Sequence, residues 1–237
     1  MIDICLLQQY AAEYNLTLTD SQLSQIDQYA GLLVEWNQKM NLTAITEPSE
    51  MLVKHYLDSL LLLDAVDLPN AAKVVDVGCG AGFPSMPCLI ARPDLKLTLL
   101  DSLNKRLTFL KEVGSVLNLQ PEYLHGCAEE IGRKKEYREQ YQLATARAVA
   151  HLAELSEYCL PFVQPGGMFA ALKGYDVEEE LQEAKKAISL MGGEIVDIKK
   201  YQLPMDNKRS IVLIKKISQT STKYPRISAK IAKAPIR

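Results

Sequence analysis

The chain has no apolar run near the ~20 residues that a membrane-spanning helix needs. Its first residues, Met1 to Tyr10, carry no basic stretch and no small-residue cleavage pattern. The expectation is a cytoplasmic protein without membrane contact. Metal-ligand side chains are scarce too. Three histidines are dispersed, and the five cysteines (Cys5, Cys79, Cys88, Cys127, Cys159) contain no C-x-x-C, so reduced thiols and no metal follow. Acid is missing from one end: Lys208 to Arg237 holds nine Lys or Arg and no Asp or Glu, leaving 18 basic against 29 acidic residues before it. A basic end on an acidic body points to a polyanion held at one edge, or to a solubilising tail.

What is present is organised around Lys73 to Pro84. The apolar run Val74 to Val77, interrupted by Asp76, breaks into Gly78, Gly80 and Gly82 and then meets Pro84, which reads as strand, tight turn and helix. Ligands of doubly wound sheets bind at such a turn. The dinucleotide fingerprint would need glycine at position 83, and Phe83 stands there, which turns the reading away from NAD. Asp76 followed by G-x-G-x-G resembles the first motif of class I S-adenosylmethionine (SAM) methyltransferases.

The rest of the chain fits an α/β sheet. Thr19 and Gln22 form a capping box for a helix to about Met40, and a second helix runs from Glu47 or Pro48 to Ala65. His55, Asp58 and Ser59 share one polar patch on it, for which a solvated face is the commoner explanation. Strands are expected at Leu95–Leu100, Pro121–His125, Leu143–Val149, Met168–Leu172, Glu194–Tyr201 and Ser210–Lys216. Between them, Ser102 caps a helix with Leu103 on its apolar face, a polar helix follows Glu130 to about Arg138, and Asp176–Met191 is helical. Asp101 lies about twenty residues past the glycine turn, where an acid accepts ribose hydroxyls. Arg147 stands in a small-residue run, and a buried guanidinium requires an anion. The predicted architecture is a seven-stranded, mostly parallel, Rossmann-like sheet of the class I SAM methyltransferase type. It divides into an N-terminal helical extension (1–70), the SAM-binding domain (71–217) and a loosely ordered basic tail (218–237).

The fourth-strand end lacks the Asn/Asp-Pro-Pro-aromatic turn that assists amine methylation and the Pro-Cys of cytosine C5 chemistry; it reads Arg147-Ala148-Val149-Ala150. A ring nitrogen such as guanine N7 has an in-plane lone pair and no proton to lose, so it needs alignment without a base. Trp36-Asn37 with Asn41-Leu42-Thr43, His55-x-x-Asp58-Ser59-Leu60, the glycine turn, Leu100-Asp101-Ser102 with Lys105-Arg106, Ala128-Glu129-Glu130, Arg147-Ala148-Val149, Lys173-Gly174 and Tyr224-Pro225-Arg226 together resemble the bacterial 16S rRNA guanine-N7 methyltransferases, the RsmG (GidB) family.

The resemblance implies SAM as cofactor and, as product, N7-methylguanosine in the decoding-region loop of 16S rRNA, at guanine 527 in standard rRNA numbering. It also implies cofactor contacts at Gly78, Phe83, Ala128, Glu129 and Arg147, to which the reading of the turn and of the second strand end adds Gly80, Gly82 and Asp101. Arg147 is assigned to positioning with no general base, and His55 and Asp58 to buttressing the pocket. Lys105, Arg106, Lys173 and Arg226 are assigned to RNA, with 16S rRNA or the small ribosomal subunit as partner of a monomer. The pattern is looser at Cys127, Gln142 and 227–231. A non-catalytic RNA-binding assembly factor and a small-molecule methyltransferase are the alternatives.

Overall fold

Val74, Val75 and Val77 are all buried, as a strand covered on both faces of a parallel sheet requires. A computed structural model describes residues 1–237 and places this run at the centre of a seven-stranded sheet. The strands are β1 (Lys73–Val77), β2 (Lys96–Asp101), β3 (Glu122–His125), β4 (Tyr141–Arg147), β5 (Val163–Gly174), β6 (Gly193–Leu203) and β7 (Asn207–Lys216). Their order is β3-β2-β1-β4-β5-β7-β6, with β7 antiparallel to both neighbours. Strand order reverses between β1 and β4, so the carboxyl ends of β1, β2 and β4 open a crevice there.

One sheet face is covered by α1 (Ile4–Ala12), α2 (Asp20–Asn37), the helix from α3 (Pro48–Met51) to α4 (Asp58–Ala65), α5 (Ser85–Ala91) and α6 (Asn104–Leu117). A cluster of 44 buried residues running from Ile2 to Leu213 joins these helices to the sheet. The expected capping box starts α2: the Thr19 amide donates to Gln22 Oε1 at 2.8 Å and the Gln22 amide to Thr19 Oγ1 at 3.3 Å. Between α3 and α4, Leu52–Leu57 forms a π-helical turn. The other face holds α7 (Ala128–Ile131), α8 (Leu152–Cys159) and α9 (Glu178–Leu190) over a second cluster of 24 buried residues. No helix is long and apolar enough to cross a membrane.

Three expectations need correction. Ser102 does not cap α6: Leu103 occupies the N-cap position, is 43% exposed, and its amide is satisfied by Asp101 Oδ1 at 2.8 Å. The polar helix after Glu130 stops at Ile131, because Arg138 folds back to donate to the Gly132 carbonyl at 3.1 Å. The tail is not loose. It carries α10 (Ser228–Lys233) with Ile231 fully buried. Arg138 donates to the carbonyls of Thr220 (2.7 Å) and Tyr224 (3.0 Å). Buried Lys216 donates to those of Leu160 and Met191 at 2.8 and 2.9 Å and to the Thr220 hydroxyl. Burial pushes the Lys216 ammonium down to about 8, against the pull of Glu139. Side chains gripping backbone carbonyls order a segment without any hydrophobic period, which is why the sequence pattern missed it.

Candidate active site

The glycine turn is fastened to β2. The amides of Gly78 and Cys79 donate to the Leu100 carbonyl at 2.8 and 3.0 Å, and that of Gly80 to Asp101 Oδ2 at 2.9 Å. At Gly78 a Cβ would meet Val149 Cγ2 at 2.8 Å, so glycine there lets the loop after β4 lie against the turn. Gly82 is closely packed from within the protein. A Cβ there would strike the Tyr29 hydroxyl, Leu110 and Met86, which places Gly82 in the packing beneath the turn. Below it, Ser85 donates to fully buried Asp76, and burial raises the Asp76 carboxyl to about 7.

Two cavities flank Val149. One, of about 270 Å³, is lined by Gly78, Asp101, Ala128, Glu129, Tyr158 and Ser228; the other, of about 420 Å³, by Gly80, Phe83, His55, Arg106 and Arg147. They share Gly78, Asp101, Ser102 and Val149, so together they form one cleft along the ends of β1, β2 and β4. Asp101 is 2% exposed, and besides its two backbone donors it accepts from Arg106 at 3.3 Å. Glu129 is 8% exposed and has no hydrogen-bond donor within the protein. Its carboxylate oxygens are not sealed off by protein and are open to the lobe. The smaller lobe therefore fits a ligand that brings hydroxyl or amino donors, as an adenosine does.

At the far end of the cleft Arg147 is 16% exposed and held from three sides. Its NH1 donates to Asp58 Oδ2 at 2.8 Å and to the Lys54 carbonyl at 3.0 Å, and NH2 to His55 Nδ1 at 3.3 Å. The π-helical turn makes this arrangement possible: the Asp58 amide donates to the carbonyls of Val53 and His55, and that of Lys54 faces the guanidinium. Because a guanidinium only donates, His55 Nδ1 must accept, and the ring proton sits on Nε2, 2.8 Å from Thr43 Oγ1. Burial and the Arg147 charge lower the His55 pKa to about 3. His55 also stacks on Phe83 at 4.5 Å, with the Arg147 guanidinium carbon 5.1 Å from the same ring. The patch that spacing left as a solvated helix face is thus a buried socket for Arg147.

Beyond Arg147 lies a further cavity of about 460 Å³ lined by Lys54, Asp58, Lys173, Glu180 and Arg209. Of the residues expected to meet RNA, Lys105 is exposed and makes no ion pair. Arg106 is shared with Asp101. Lys173 is 11% exposed; it pairs with Glu180 at 2.6 Å and donates to the Ala150 carbonyl at 2.8 Å, pinning the loop after β4. Arg226 is bound to Glu157. Sequence reasoning missed Arg209, whose Nε lies 3.5 Å from Asp58 Oδ1, and Val149, Glu157 and Ser228. Only the basic count of the tail hinted at Arg209.

Residues 22–212 match the family described as GidB, rRNA small subunit methyltransferase G. A protein of Alkaliphilus oremlandii named ribosomal RNA small subunit methyltransferase G is 49% identical over 98% of both chains. One of the same name in Bacillus subtilis is 46% identical over 95% of both. Among solved structures, TrmN of Thermus thermophilus superposes with a TM-score of 0.53 at 17% identity, covering 70% of this chain and 53% of that one. Fibrillarin of Aeropyrum pernix, with natively bound SAM, superposes at 0.52 and 15% identity, covering 67% and 73%.

Proposed function

As the chain belongs to the rRNA small subunit methyltransferase G family, we propose that it methylates N7 of a guanine in 16S rRNA, at position 527 in standard rRNA numbering. The cofactor is SAM, which supplies an electrophilic methyl group on a sulfonium. Asp101 and Glu129 would hold its adenosine hydroxyls and amino group in the smaller lobe. The Gly78–Gly80 turn would carry its methionine end toward Arg147.

The observation that carries the choice of acceptor is that the polar groups around Arg147 are already committed. His55 is neutral, and its one lone-pair nitrogen is covered by the guanidinium. Asp58 is held between Arg147 and Arg209. Neither is available to take a proton, and attack by guanine N7 releases none. Two N–H groups of Arg147, Nε–H and one on NH2, have no partner in the protein. They suit the O6 acceptor beside N7 on the guanine edge. The function of Arg147 is then to align the base, which is where most of the acceleration of such a transfer arises.

The decisive test is transfer of tritiated methyl from SAM to ribosomal RNA of a strain lacking this protein, with the modified base mapped. N7-methylguanine at one site is expected; label confined to proteins or small molecules would overturn the reading. Raising salt should depress the rate steeply, because phosphate contacts release counterions. A narrower expectation concerns Glu129. Glu129→Ala should weaken binding of S-adenosylhomocysteine, read by titration calorimetry, by about tenfold, the size of one charge-assisted hydrogen bond. An unchanged dissociation constant would remove Glu129 from the cofactor lobe.

A further inference from the structure

Arg226 lies in the basic tail, where charge alone directs it to RNA, yet its head group faces inward. Its amide donates to Glu157 Oε1 at 2.7 Å, Nε to Oε1 and Oε2 at 3.0 and 3.1 Å, and NH2 to Oε2 at 2.8 Å. Glu157 is 1% exposed and stands on α8, whose neighbouring residue Tyr158 and preceding Glu154 line the smaller lobe of the cleft. Arg226 NH1 also donates to the Ala234 carbonyl at 3.0 Å, so one guanidinium ties the two ends of α10 to α8. Between those ends Ile231 is buried, and Ser228 lines the same lobe as Glu129. A bidentate, charge-assisted pair of this kind fixes orientation as well as position. Lys223, Lys230 and Lys233 are exposed. The tail thus turns these lysines outward and Arg226 inward.

We propose that Arg226 is a positioning residue for the cofactor: through Glu157 it seats α10 so that Ser228 completes the wall of the adenosine lobe. The proposal rests on the assignment of that lobe to SAM. A tail that only bound RNA would have no use for a fully desolvated carboxylate beneath it.

Arg226→Lys keeps a charge over Glu157 and loses the two-pronged geometry, so it leaves no buried acid unpaired. S-adenosylhomocysteine titration should show about tenfold weaker binding, less than the roughly hundredfold that a full ångström of misplacement can cost a reaction. Binding of a 16S rRNA fragment should stay within about twofold of wild type, with its salt slope unchanged. An RNA-phosphate role predicts the reverse, unaltered cofactor binding and weaker RNA binding, because lysine keeps the charge but loses the two-pronged contact to a phosphate. Ser228→Trp, at an exposed rim position, supplies a variant whose folding is not at risk, and it should also weaken the cofactor selectively. If the lysine variant does not fold, the tryptophan variant decides. Unchanged S-adenosylhomocysteine affinity in the deciding variant overturns the proposal. Failure of the wild-type protein to bind S-adenosylhomocysteine would instead overturn the cofactor assignment on which it rests.

Discussion

Replacing Arg147 with lysine will slow methyl transfer by about hundredfold or more and weaken cofactor binding by less than about tenfold. Arg147 reaches Asp58, the Lys54 carbonyl and His55 at once because its donors form a rigid fork. A single ammonium cannot span the three acceptors and still present donors to a base. Single-turnover rates and S-adenosylhomocysteine affinity measured on the same preparation check both halves. A variant within about threefold of wild type would return Arg147 to the status of an ordinary ion pair. The pH profile gives an independent reading. In the native protein His55 is depressed to about 3, so it stays neutral throughout the working range and adds no slope between pH 6 and 8. Lysine keeps a positive charge beside the ring, and burial, the larger cause of the depression, is untouched by the substitution. His55 should therefore stay neutral in the variant as well, and the rates of both proteins should share the same flat profile between pH 6 and 8; a loss of rate toward acid pH in the variant alone would refute burial as the main cause of the neutral ring.

Gly82→Ala will lower stability by about 3 kcal/mol, adding the cost of a positive φ to that of overpacking a filled site. The backbone there has φ +93°, and the new methyl would sit 2.7 Å from Leu110 Cδ2 and 2.9 Å from Met86 Cγ, as well as against the Tyr29 hydroxyl. Tyr29 cannot retreat easily, because it is fully buried, donates to the Ala81 carbonyl and stacks on Phe83. Gly80→Ala is the control. With φ +58° and nothing nearer than the Gly78 carbonyl at 3.9 Å, it should cost only about 1–2 kcal/mol. Thermal unfolding should fall by about 6–12 °C for Gly82→Ala, at roughly 2–4 °C per kcal/mol for a chain of this size. Equal shifts in the two variants would refute the packing account.

The parts of this site that lie at strand ends were legible because they are local. Asp76, the three glycines, Asp101 and Arg147 each announce a strand or its end, and a parallel sheet gathers its carboxyl ends on one edge whatever else the chain does. Sequence also said that Arg147 would need an anion. It could not say which, since Asp58 is 89 residues away and its helix presents the same spacing whether the polar patch meets water or a guanidinium. The partners that Lys173 and Arg226 meet within the protein were hidden for the same reason. A cation's charge is visible in the sequence, whereas the direction in which its side chain turns is decided by acids, Glu180 and Glu157, that only the fold brings close. Gly82 shows the limit within a motif. Its conformation could be anticipated, but the aromatic ring that fills the space above it comes from α2.

The π-helical turn at Leu52–Leu57 also sets a rule about length. A turn of this kind houses one residue more than an α-turn, so everything after it lags in phase by about 100°. Deleting a single residue there would let the helix from Pro48 to Ala65 relax into a regular α-helix, while rotating the face that carries Asp58 away from the sheet edge where Arg147 emerges. The segment should accept many changes of side chain and very few of length. Among natural variants, insertions and deletions should therefore gather in the loops before Pro48 and after Ala65 and leave the span between them at constant residue count.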